Sequence, residues 1–141
     1  MKDNSEIVLF ICEHGSAKST IAASHFNKLA RERHMQCRAI SRGTTPDDTF
    51  PANVTAGLLS DGLQPDEPKP VKLDDGDLAM AARIVIFSEL PAECSGSLSV
   101  DDWSDVPPVS ENYEIARDEI VRRVKLILDE TDPAEGKEDS S

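Results

Sequence analysis

Every residue from Ile7 to Cys12 is apolar, Glu6 stands before the run, and the polar stretch Glu13-His14-Gly15-Ser16 follows it. A strand with one wet face alternates apolar and polar residues. An unbroken run of this length, ended by a glycine-containing turn, predicts a strand covered on both faces, which is the signature of a parallel sheet. Parallel neighbours cannot be joined by hairpins, so the chain must supply crossover helices.

It does. After the turn, Ala22, Phe26, Leu29 and Ala30 recur at helical spacing, which predicts a helix over about Ala17 to Arg33. Gln36 to Ser41 reads as a second strand, closed by Arg42-Gly43-Thr44. Pro51 is expected to open a short helix through Leu59, since proline suits the first helical position. Asp74 or Asp75 is expected to cap another through Ala82. Arg83 to Phe87 reads as a third strand and Leu98 to Trp103 as a fourth. Ser110 is expected to cap a final helix with the stripe Tyr113, Ala116, Ile120, Val121, Val124, Ile127 and Leu128. Strands separated by helices predict an α/β fold: a single-domain three-layer sandwich, with a four-stranded parallel sheet and helices on both faces. The domain is expected over residues 1–130. The polar, acidic 131–141 has no apolar anchor and is expected to be a disordered tail.

Charge narrows the function. The 141 residues carry a net charge of -12. Nucleic acid and anionic membranes would be repelled, so neither is an expected partner. No apolar run approaches the length that spans a bilayer, and no signal peptide is evident, so a cytoplasmic location is expected. The three cysteines are too few for a disulfide framework, and no ligand spacing suggests a metal. Yet His14 to Arg42 holds six basic residues (Lys18, Lys28, Arg31, Arg33, Arg38, Arg42) against Glu32 alone. This basic stretch is where an anion site is sought.

The stretch opens within the loop Cys12-Glu13-His14-Gly15-Ser16-Ala17-Lys18-Ser19. In parallel α/β folds, sites lie at the carboxyl ends of strands, and anions bind at the amino end of the following helix. Backbone N–H groups in such a loop can converge on a tetrahedral oxyanion. The same field stabilises a thiolate and can bring a cysteine from about 8.5 toward the ~3.5–7.5 range of activated thiols. Ser19 can donate a hydrogen bond to that thiolate. Cys12 as a small, inert strand-end residue is the competing reading. A nucleotide-binding loop G-x-x-x-x-G-K-[ST] would need glycines where Cys12 and Ala17 stand.

Val8-Leu-Phe-Ile-Cys12 with its loop and helix resembles the low-molecular-weight protein tyrosine phosphatase superfamily, in which C-x5-R-S follows the first strand. The related arsenate reductases look closer still. Ser41-Arg-Gly-Thr44 is similar to the superfamily's S-x-G-T, and Asp61-Gly-Leu63 with Pro68-Lys-Pro-Val-Lys72 to its following region. Ala81 to Phe87 is similar to its third strand. Trp103-Ser-Asp-Val-Pro107 and Ala116-Arg-Asp-Glu-Ile120 resemble segments of the reductase branch. The resemblance covers about residues 6–130. It implies that Cys12 attacks phosphorus or arsenic as a thiolate while Glu13, His14, Gly15, Ser16, Ala17, Lys18 and Ser19 bind a small oxyanion, arsenate or phosphate. It also implies an aspartate that protonates the leaving oxygen. That role falls to Asp105 in the Trp103 loop, with Asp101 and Asp102 as competitors. An acid of this kind needs a partly desolvated place that raises its pKa.

The chain also departs from the pattern. Lys18 stands where the superfamily has arginine, and a point charge replaces a planar fork that grips two oxygens. Phosphate-ester cleavage is expected to suffer while anion binding persists. Glu13 would repel an oxyanion if turned inward, so it is expected to point out. Arsenate reduction needs a second thiol to attack the adduct, in the chain or from glutathione, glutaredoxin or thioredoxin. Cys94 is the in-chain candidate for a resolving thiol, with an exposed free cysteine as its competing reading, and Cys37 is expected in the core. No metal or organic cofactor is required. An arsenate reductase-like or phosphatase enzyme, or a weakened oxyanion- or partner-binding homologue, are the readings that remain.

Overall fold

The computed structural model of the protein describes residues 6–14, 17–65, 67–87 and 100–131. Strands β1 (Ile7–Cys12), β2 (Arg38–Gly43), β3 (Ala81–Ile86) and β4 (Val100–Asp102) form one sheet in the order β2-β1-β3-β4. All pairings are parallel. Every residue of β1 is buried, because the strand is flanked on both edges and covered on both faces. The continuous apolar run is the sequence image of that double cover.

The alternating side chains of β1 separate two cores. Val8, Phe10 and Cys12 face the larger one, with Ile21, Ala22 and Phe26 of α1 (Lys18–Glu32). Val54 and Leu58 of α2 (Ala52–Ser60) and Ala116, Ile120, Val124 and Leu128 of the last helix complete it. Ile7, Leu9 and Ile11 face the smaller core, closed by Leu73 and by Leu78 of α3 (Asp75–Met80). The last helix is α4 (Tyr113–Thr131). The result is the expected sandwich of a four-stranded parallel sheet with helices on both faces. Among the described residues no helix is long and apolar enough to cross a membrane.

Several boundaries differ from the sequence reading. Pro51 is the extended residue before α2, with φ -60° and ψ 145°, not its first turn. Asp74 caps α3 in a reciprocal box: its side chain accepts from the Asp77 N–H, and Asp77 accepts from the Asp74 N–H. That helix ends at Met80, and Ala81 and Ala82 begin β3 instead. Ser110 does not cap α4. Asn112 does, accepting from the Ile115 N–H at 3.1 Å. The expected tail from residue 132 onward lies outside the described residues.

The strand order reverses direction between β1 and β3, and the carboxyl end of β1 opens at that switch point, where α/β folds hold their ligands. Cys12 stands there.

Candidate active site

Two elements position the Cys12 loop. On one side, backbone pairing continues past the end of β1. The N–H groups of Thr44, Thr45 and Asp47 donate to the carbonyls of Cys12, Glu13 and His14 at 3.3, 2.7 and 3.1 Å. The Ser41-Arg-Gly-Thr44 segment thus serves as a rail for the first residues of the loop. On the other side stands the amino end of α1. Its cap, Ala17, offers no side-chain acceptor, and no acidic residue lies in the first turn. The first N–H groups of a helix have no intrahelical partner, so this end presents donors and a partial positive charge.

Cys12 is 9% exposed. Its Sγ lies 2.9 Å from the Ser19 Oγ. The Ser41 hydroxyl donates to that same Oγ at 2.8 Å, and the Thr20 Oγ1 lies 3.4 Å from Ser41. With Ser41 as donor to it, the Ser19 hydroxyl is left to direct its own hydrogen at the sulfur, which suits a thiolate.

Lys18 begins α1 and reaches away from the helix axis. Its Nζ donates to the Val106 carbonyl at 2.6 Å, tying the amino end of α1 to the loop after β4. Burial pulls the Lys18 ammonium below the ordinary lysine value, and the nearby charges of Cys12 and Asp105 oppose that pull. That loop is itself anchored: Trp103 packs on Phe10 and Phe87 at ring-centroid distances of 5.8 Å, and Val106 is buried.

Asp105 does not occupy the environment expected of a proton donor. Its side chain is 72% exposed and is gripped by Arg123 of α4 through two bonds of 2.9 Å. That grip holds its carboxyl below the usual range, the reverse of the expected rise. Arg123 also lies over the Trp103 ring at 5.7 Å and binds Glu119 at 2.6 Å, so it is fixed in place. Among the competitors, Asp101 pairs with Arg83 at 2.7 Å. Asp102 accepts from the Ser104 N–H, which holds its carboxyl low as well.

Glu13 and His14 are exposed, and His14 Nδ1 lies 3.3 Å from an Asp47 carboxylate oxygen. Gly15, Ser16 and Cys94 lie outside the described residues. Cys37 is buried, six strand positions from the Cys12 level in the β1–β2 register, which is about 20 Å. It cannot meet Cys12. Arg38 is likewise at the far end of the sheet, opposite Ile7. Arg42 is spent on Asp77 at 3.0 Å and Glu67 at 3.6 Å. Ser41, Thr20, Val106 and Arg123 join the site only through the tertiary fold. Only Ser41 carried a signal, as the first residue of the S-x-G-T-like segment. Among the described residues, no group of three or more His, Cys, Asp or Glu is placed to hold a metal ion.

A cysteine at the carboxyl end of a central parallel strand, facing a helix amino end that carries Lys18 and Ser19, invites comparison with solved structures. YfkJ from Bacillus subtilis superimposes with a TM-score of 0.80 at 17% identity, over 92% of this chain and 96% of that one. A low-molecular-weight protein tyrosine phosphatase from T. tengcongensis gives 0.72 at 18% identity, over 89% and 99%. The fold is that of the low-molecular-weight protein tyrosine phosphatases. An arsenate reductase from Archaeoglobus fulgidus shares this phosphatase fold with a TM-score of 0.65 at 25% identity, over 85% of this chain and 97% of that one. No family model and no curated protein matches the sequence. Structures bearing both activities therefore carry the phosphatase fold seen here, and the chain is similar to each.

Proposed function

We propose that this protein is a cytoplasmic, thiol-dependent oxyanion enzyme in which Cys12 is the nucleophile, with arsenate reduction ahead of phosphatase action. The observation that carries the reading is the 2.9 Å contact between Cys12 Sγ and Ser19 Oγ at the uncapped amino end of α1. A thiolate there meets hydroxyl and backbone donors, and a tetrahedral anion beside it meets the helix end and Lys18.

The two activities share a first step. The Cys12 sulfur forms a bond to arsenic or phosphorus, and an oxygen leaves with a proton, as water from arsenate or as an alcohol from a phosphate ester. In arsenate reduction a second thiol then attacks the Cys12 sulfur. A disulfide forms, the sulfur–arsenic electron pair stays on arsenic, and arsenic(V) departs as arsenic(III). The two thiols supply the two electrons. Cys94, glutathione, glutaredoxin and thioredoxin are the proposed sources of the second thiol. In the phosphatase reaction water instead hydrolyses the phosphocysteine.

Two features favour the first chemistry. Lys18 lacks the fork that would hold two equatorial oxygens of a phosphoryl group in flight. Asp105, held ionised by Arg123, is a poor donor to an alcohol leaving group until it is released. The same two features support the weakened, anion-binding homologue as the second reading.

The test compares wild type, Cys12→Ser and Lys18→Arg in p-nitrophenyl phosphate hydrolysis and thiol-dependent arsenate reduction. Wild-type arsenate reduction well above Cys12→Ser is expected, with a gain of phosphatase activity in Lys18→Arg. If wild type exceeds Cys12→Ser in neither assay, the enzyme reading is lost and the binding reading takes its place. A Cys12–Cys94 disulfide formed under arsenate, seen by mass spectrometry, is the outcome that makes Cys94 the resolving thiol.

A further inference from the structure

Strand β2 is an edge of the sheet, and among the described residues its outward backbone groups are closed at every point but one. Its inward set is identified by Arg38, whose N–H donates toward β1 at the Glu6 carbonyl. Ala39, Ser41 and Gly43 therefore face outward. At Ala39 the Asn27 side chain of α1 acts as a clasp, accepting from the N–H at 2.8 Å and donating to the carbonyl at 3.0 Å. At Gly43 the segment 71–73 closes the edge: the Gly43 N–H donates to Val71, and the Leu73 N–H donates to Gly43. Between them the Ser41 carbonyl accepts from Arg42 at 2.8 Å. The Ser41 N–H has no partner among the described residues.

This gap in the edge opens into a cavity of about 430 Å³. Met35, Phe50 and Pro70 give it apolar walls, and hydroxyls line it from Thr20 of α1 and Ser41 of β2. Three cations also line it: Arg31 from the last turn of α1, Arg38 at the start of β2, and Lys69 from the opposite wall. All three are exposed. None has an ion pair or side-chain hydrogen bond among the described residues. The one carboxylate in the lining, Glu67, is drawn toward Arg42. In a chain of net charge -12, three cations around one apolar cavity, with no ion pair among the described residues, are a concentration of positive field.

We propose that this cavity is a binding site for a small organic anion, with a flat apolar body and a single carboxylate, sulfonate or phosphate group. The volume lies in the range of small-molecule sites, and apolar walls combined with polar and charged side chains that can orient a ligand suit such a site. The apolar body displaces water from Met35, Phe50 and Pro70, the anionic group is held by the cations, and the Ser41 N–H gains an acceptor. The cationic end of the site is distant from the Cys12 loop: Arg38 lies five strand positions from the Cys12 level, about 16 Å away, and Ser41 is the residue the cavity shares with the hydroxyl network beside Cys12.

The probe is 8-anilinonaphthalene-1-sulfonate, with uncharged N-phenyl-1-naphthylamine as control, followed by calorimetry and by amide shifts in NMR. We expect one sulfonate probe per chain and the largest shifts at residues 36–41 and 69–71, the Ser41 amide among them. Losing charge-assisted contacts in Arg31→Gln/Arg38→Gln/Lys69→Gln should weaken binding by roughly tenfold or more, and the uncharged control should bind weaker by a similar factor. Arg38→Gln alone should show a smaller loss in the same direction if the triple variant does not fold. Cys12→Ser should bind as wild type does, so the result is independent of the proposed enzyme activity. Unsaturable binding, shifts confined to other regions, or affinity unchanged by the charge substitutions would each overturn the proposal.

Discussion

Lys18 and Val106, 88 residues apart, are joined by a 2.6 Å hydrogen bond from Nζ to a main-chain carbonyl. The bond places the side-chain charge at the start of α1 against the loop after β4, so one contact ties the Cys12 loop to the loop that carries Asp105. Lysine has three protons, and one spent on Val106 leaves two for an oxyanion. An arginine there would lay a planar fork across the same space, which is why Lys18→Arg is more than a conservative change.

The lowered Lys18 pKa should give the proposed oxyanion binding an alkaline limit. Only the ammonium attracts the anion, and burial makes it lose its proton at lower pH than an exposed lysine does. Phosphate affinity, measured by calorimetry, should therefore fall with rising pH below the ordinary lysine pKa. Lys18→Arg should remove that limb. Lys18→Met should weaken binding by roughly tenfold or more at neutral pH, as expected for a lost charge-assisted bond. An identical alkaline decline in Lys18→Arg would assign the limb to another group.

The hydroxyl network should set the reactivity of Cys12. Ser19→Ala removes the donor 2.9 Å from the sulfur, and Ser41→Ala removes the bond that orients it. Alkylation of Cys12 by iodoacetamide at pH 7 should slow by about tenfold in Ser19→Ala, with a smaller loss in Ser41→Ala. Rates equal to wild type in both would mean the hydroxyls do not support the thiolate.

Arg123 holds Asp105 ionised, so it should restrain any acid role of that carboxyl. Arg123→Gln is expected to raise the Asp105 pKa toward the ordinary aspartate value, followed by NMR titration of its side-chain carbon. Hydrolysis of phenyl phosphate near pH 5 should rise as a larger fraction of Asp105 carries a proton. A raised pKa without any rate change would remove Asp105 from the mechanism.

Asp61 gathers three donors from two helices: His25 Nε2 of α1 at 3.2 Å, and Tyr113 Oη at 3.0 Å and Arg117 at 2.6 Å, both of α4. Tyr113 reaches it by lying flat on Gly57, where an added Cβ would overlap the ring. Gly57→Ala should displace Tyr113, break its bond to Asp61, and lower stability by about 2–4 kcal/mol in urea unfolding. Tyr113→Phe, which keeps the ring and loses the hydroxyl, should cost less than Gly57→Ala.

Burial lowers the His25 pKa, and this outweighs the pull of Asp61. The unfolded chain, where histidine titrates near 6.5, then binds a proton more readily than the folded one. Stability should hold above about pH 6.5 and fall as pH drops from there toward the lower folded value. Urea midpoints at pH 7.5 and 5.5 test this, and His25→Gln should narrow the difference between them.

What was legible in the sequence was local. The run Ile7 to Cys12 reports burial on both faces, because each residue's own polarity records its side of the sheet. The stripe through Ala116, Ile120, Val124 and Leu128 does the same for α4. Cys12, Lys18 and Ser19 lie within eight consecutive positions, so a strand, a turn and a helix suffice to bring them together. The misplaced caps have local causes too. Ser110 and Asn112 are both competent caps, and only the backbone path decides which side chain reaches a free N–H. Ala81 and Ala82 read as helix, yet Ala81 pairs with Ile7 of β1, and Ala82 is carried into the strand at the register shift before Arg83.

The sequence alone determined the parallel sheet, the helices that cover it, and a thiol at the head of a basic helix. Hydrophobic periodicity and strand–helix order act over a few residues and survive in one dimension. Tertiary structure alone decided that Asp105 is gripped by Arg123, that Ser41 orients Ser19, and that Cys37 and Arg38 lie at the far end of the sheet from Cys12. These are electrostatic and hydrogen-bond relationships, which depend on distance and on water exclusion. Both are set by how β2, α4 and the loop after β4 pack, and composition carries no record of either.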